Sequence, residues 1–125
     1  MTWTQLHDRM AFMARVIKDA ETDPEAALAV TAGSPELPRL FGDEEGLLLS
    51  LRNRWMTMLV AKLDQAAYDD VPAEQARADL AAAEPGLHAL LKIAAGRSLR
   101  VRSLPRDEER AVALLGGPSD RQTVA

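Results

Sequence analysis

The chain has 125 residues, 47% hydrophobic and 27% charged, the balance of one globular domain large enough to bury a core without staples. It has no cysteine, which excludes disulfides, thiolate nucleophiles and cysteine-ligated zinc. A net charge of −4 argues against a protein that coats nucleic acid, but the charge is uneven: residues 1–46 hold four basic and nine acidic side chains, residues 97–125 six and four.

Aromatic residues are only 4%, and alanine, leucine, glutamate, aspartate and arginine dominate, which is helix-bundle material. The expected fold is all-α, a single-domain helical bundle of four main helices with shorter ones after Pro24 and Pro105. The first helix should span about Trp3 to Glu21, because Thr2 followed by Gln5 fits a capping box. Trp3, Leu6, Met10, Met13, Ile17 and Ala20 recur at alternating spacings of three and four, a seam expected to pack antiparallel on the central helix or, failing that, on another chain. Phe12 and Val16 fall off that seam among Asp8, Arg15 and Asp19, and form either a second internal contact, covered by Leu99, Val101 and Leu104, or an exposed patch for a partner subunit.

Asp23-Pro24-Glu25 opens a short helix to about Thr31 that presents Ala27, Leu28 and Val30. Residues 32–42 carry Gly33, Pro35, Pro38 and Gly42 with Leu37, Leu40 and Phe41 between them, a packed connection with one helical turn near Pro35.

The central helix runs from Asp43 to Ala67, with Asp43 as cap and Glu44 and Glu45 at the positive end of the dipole. On a wheel of about 100° per residue, Leu48, Leu49, Leu51, Trp55, Met56, Met58, Leu59, Val60, Leu63, Ala66 and Ala67 fill an arc of roughly 200°, and Ser50, Asn53, Arg54, Thr57, Asp64 and Gln65 form a stripe in water. Arg52 falls inside the apolar arc and is a candidate buried charge. Unpaired, it would cost several kcal/mol, so a carboxylate from the acid-rich first 46 residues is the expected partner.

Pro72 opens another helix to about Glu84 with Ala76, Leu80 and Ala83 inward, and a further one follows to Ala95 with Gly96 as its C-cap. From Arg97 to about Leu115 the chain becomes a basic arm, and the tail from Gly116 is expected to be disordered.

No constellation carries chemistry. His7 and His88 read as surface or core-edge histidines, and no nucleophile elbow, phosphate loop or dinucleotide fingerprint is present. Glu84 and His88 have the wrong spacing for a bundle metal site, and Glu44-Glu45, Asp69-Asp70 and Asp107-Glu108-Glu109 read as helix-start and turn acids. No catalytic residue, metal or cofactor is expected. No apolar run approaches the ~18 residues of a membrane span, and Asp8 and Arg9 stand where a signal peptide needs an uncharged core, so the expected location is cytoplasmic, with no membrane contact.

The run FGDEEGLLLSLRNRW, preceded by the MTWTQLHDRM helix, resembles small helical proteins of actinobacterial type. The resemblance spans about residues 1–95, implies the fold and implies no activity. The arginine bias, twelve of fifteen basic residues, suggests a GC-rich bacterial genome.

The function expected from these observations is a non-enzymatic interaction or regulatory module with a protein partner or self-association. Its candidate surface is Phe12 and Val16 together with Arg97, Arg100, Arg102 and Arg106. A nucleic-acid-associated protein using residues 97–110 is the alternative: the arginines could meet phosphates, but no aromatic is interleaved and Asp107, Glu108 and Glu109 cancel much of the field. A small-ligand or enzymatic bundle comes third and would need a concave pocket with converging polar groups.

Overall fold

The computed structural model describes residues 2–98 and 104–116. Its helices are α1 (Trp3–Ala20), α2 (Pro24–Ala32), α3 (Glu36–Phe41), α4 (Glu44–Tyr68), α5 (Ala73–Ala83), α6 (Pro85–Arg97) and α7 (Leu104–Ala111), the last widening into a π-type turn, Val112–Gly116. No strand occurs among the described residues, and the chain is an all-α bundle in which α1, α4, α5 and α6 are the longer helices.

The helix starts follow from local chemistry. Thr2 and Gln5 form the reciprocal capping box, with the Gln5 N–H donating to Thr2 Oγ1 at 3.1 Å and the Thr2 N–H to Gln5 Oε1 at 3.0 Å. Asp23 Oδ1 accepts from the Ala26 N–H at 3.1 Å, and Asp43 Oδ1 from the Gly46 N–H at 2.8 Å.

The longest helix, α4, is the centre of the bundle, packed on α3, α5, α6 and α7. Leu47, Leu48, Leu51, Trp55, Leu59, Leu63 and Ala66 are its buried residues. The wheel omits Leu47, which is fully buried, and includes Val60 and Ala67, which are exposed. At Leu47 the end of α3 lies close over the first turn of α4. A methyl group on Gly46 would stand 2.0 Å from the Phe41 carbonyl oxygen, so this glycine permits the crossing rather than merely weakening a helix. Gly86 does the same at the start of α6, where a Cβ would meet the Ile17 carbonyl oxygen at 2.1 Å.

Other expectations are corrected. Val30 points outward from α2, and buried Thr31 donates its hydroxyl to the Leu28 carbonyl at 2.7 Å instead. Ala83 is exposed on α5, and Gly96 lies within α6, which ends at Arg97 with Ser98 as its C-cap. Arg52 is ion-paired, but its carboxylate is Asp107, not one from the first 46 residues. The reason is tertiary: α7 folds back across α4 and α5, where Glu108 also meets Arg77 Nη2 at 3.2 Å. The tail expected to be disordered lies, past Gly116, outside the described residues.

Helix α1 departs most from its expected packing. It rests chiefly on α2, α6 and α3, not on α4. Eighteen residues make a helix of about 27 Å, whereas the nine residues of α2, returning from the turn at 21–23, reach back only about 14 Å. The C-terminal half of α1 is therefore covered and its N-terminal half is not.

Candidate protein-docking groove

Where α1 loses cover, the apolar seam faces solvent. Trp3 is 73% exposed, Leu6 42% and Met10 43%, while Met13, Val16 and Ala20 further along are buried. The seam is correctly spaced for a partner helix, but no helix among the described residues fills it over these turns.

Between this face and α4 lies an open groove of about 430 Å³, lined by Leu6, Arg9, Met10 and Met13 of α1 and Ser50, Asn53, Arg54, Thr57 and Met58 of α4. On α1 these positions step by three and four residues, and on α4 they do the same, so each wall is one helical face. Apart from Met58, the α4 wall is part of the stripe that the sequence assigns to water. It is half sheltered because α1 runs alongside it.

The polar groups of the groove are partly engaged. Arg9 Nη2 donates to Ser50 Oγ at 2.9 Å, Ser50 Oγ donates to the Gly46 carbonyl at 3.0 Å, and the Arg9 guanidinium lies 5.1 Å from the Phe41 ring centre. Thr57 Oγ1 donates to the Asn53 carbonyl at 2.9 Å. Arg54 differs. It forms no ion pair with a described residue, and its buried Nε has no hydrogen-bond acceptor among them. Both charges in the lining are positive.

The residues singled out from sequence are placed elsewhere. Phe12 and Val16 are the internal contact and not a surface patch: both are buried, and Phe12 packs against Phe41 of α3 with ring centres 5.5 Å apart. Arg97 is held by Glu25 at 3.0 Å and by Glu44 at 3.1 Å, tying the end of α6 to the starts of α2 and α4. Arg106 is exposed, and Arg100 and Arg102 lie outside the described residues, as do Leu99 and Val101.

The groove residues were missed because Leu6 and Met10 pattern as core and Ser50, Asn53 and Arg54 as solvent face. A local signal existed. Arg54 has no acid three or four positions away on its own helix, so no such pair neutralises it.

Outside the groove lining, His88 of α6 lies against Trp55, ring centres 5.5 Å apart and tilted by 31°. Burial pushes its pKa below the ordinary 6.5, the Lys92 charge adds to this, and Glu108 opposes it. Among the described residues no three metal-ligating side chains come together, and no helix is long and apolar enough to cross a membrane. No family model matches the chain, and neither the curated proteins nor the solved structures contain a match.

Proposed function

We propose that the protein is a non-enzymatic interaction module that receives an amphipathic helix of another protein in the groove between α1 and α4. The observation that carries this reading is the exposed run of Trp3, Leu6 and Met10, which continues into the groove through Leu6 and Met10. A seam with three-four spacing accepts the knobs of another helix, and an apolar helix face laid in such a groove is a recurrent recognition mode. Three methionines in the lining suit it, since their unbranched, polarizable side chains repack around different partners. Trp3 adds the large amphipathic surface typical of interface anchors, and His7 steadies it with an edge-on contact at 4.7 Å.

The test compares three immobilised baits: the wild-type chain, Met10→Glu in the groove, and Val30→Glu on the exposed side of α2. A protein retained by wild type and Val30→Glu and released by Met10→Glu supports the reading. Retention that all three baits share, or retention by none, contradicts it.

A further inference from the structure

Resting on that docking reading, we infer that the helix taken by the groove is an acidic one, with a carboxylate that reaches Arg54. Most described arginines already have a carboxylate: Arg15 and Arg39 share Glu36, Arg52 has Asp107, Arg77 has Glu108, and Arg97 has Glu25 and Glu44. Arg54 has none, yet it is not free in water, since it is partly buried and its Nε is shut away without an acceptor. A guanidinium that is partly desolvated and unpaired is destabilising by itself and becomes favourable when a carboxylate enters, because charge-assisted hydrogen bonds strengthen as water is excluded.

The described lining of the groove holds no acid to compensate Arg54, so the charge there favours an anionic visitor. The apolar wall of Leu6, Met10, Met13 and Met58 asks for a hydrophobic face, and the two requirements meet in an amphipathic helix with leucine-like anchors flanked by aspartate or glutamate. A second copy of this chain fits worse. A two-fold contact presents the same surface from both sides, which would bring Arg9 and Arg54 towards their own counterparts.

The experiment uses three labelled peptides with one leucine face and flanks of glutamate, glutamine or lysine, titrated with the full chain and followed by fluorescence anisotropy. The glutamate peptide should bind at least about tenfold more tightly than the glutamine peptide, the lower end of what one charged hydrogen bond contributes, and the lysine peptide most weakly, with the spread narrowing as salt rises. Arg54→Met should bring the glutamate and glutamine peptides close together, the ratio of the two affinities being the readout. The peptide series on wild-type protein decides the matter even where that variant fails to fold. Equal binding of glutamate and glutamine peptides overturns the acidic inference and leaves docking standing. Binding of none of the three peptides overturns both, as does binding of dodecanoate without any peptide, which would assign the groove to a small amphiphile.

Discussion

Arg52, in the central helix, is held by Asp107 from the helix that folds back across it, and the two side chains are 21% and 22% exposed. That intermediate burial sets the scale of the interaction between a surface pair, which contributes little, and a fully buried one, whose partner is costly to leave alone. Arg52→Met should destabilise the protein by about 1–3 kcal/mol, because Asp107 is left without its cation. A double-mutant cycle with Asp107→Asn should return a coupling of at least about 0.5 kcal/mol in urea denaturation. Additive effects would show that the Arg52–Asp107 pair does not help to retain α7.

Two glycines of α6 should respond in opposite directions. At Gly86 a methyl group collides with the Ile17 backbone at 2.1 Å, so Gly86→Ala forces α6 away from α1 and should cost about 1–3 kcal/mol, as overpacking does. At Gly96 nothing lies within 4 Å of the added carbon, so Gly96→Ala should stabilise by up to about 1 kcal/mol through helix propensity. Thermal unfolding of both variants checks the pair. Equal shifts in one direction would contradict the close approach at Gly86.

The two tryptophans should behave as core and surface. Trp55 is buried, and Trp55→Ala should cost about 3–5 kcal/mol. Trp55→Phe should cost less, since it also removes an indole N–H that has no acceptor among the described residues. Trp3→Ala should change stability by no more than about 0.5 kcal/mol, because the residue lies in water. Denaturant titration of the three variants orders them, and a large loss at Trp3 would mean that the N-terminal face of α1 is covered.

What was legible in the sequence is what is decided locally. Thr2 with Gln5, Asp23 before Pro24, and Asp43 before two glutamates mark helix starts within four residues of chain, and the structure has those starts. Packing partners are not local. The seam of α1 carries no information on how far α2 reaches, so Leu6 and Met10 pattern as core although their cover ends before them. Arg52 signals that it needs an acid but not that the acid comes from 55 positions later in the chain. Gly46 looks like a slight helix weakener and Gly86 like part of the Glu84-Pro85-Gly86 stop, because the carbonyls that require them belong to other helices. The groove was illegible for the same reason, as each wall alone has an ordinary explanation.

His88 gives the fold a mild dependence on pH. Its folded pKa lies below 6.5, so the unfolded chain takes up the proton more readily and protonation favours unfolding. The stability present above 6.5 is therefore lost as pH falls through 6.5 towards the folded value. Between about pH 8 and about pH 5.5 the wild-type protein should lose more stability than His88→Gln, before most carboxylates titrate. Parallel pH profiles for the two proteins would remove His88 from the account.

The docking claim is tested most directly through the methionines, because Met10, Met13 and Met58 line the groove and Met56 lies on the same helix outside it. Isotope-labelled methionine methyl groups can be followed by NMR while the glutamate-flanked peptide, or the protein retained by the wild-type bait, is added. The expected result is that the Met10, Met13 and Met58 signals move together and saturate while Met56 stays in place. A saturating ligand that moves Met56 and leaves Met10 and Met58 unchanged would place the binding surface elsewhere and contradict the assignment of the groove.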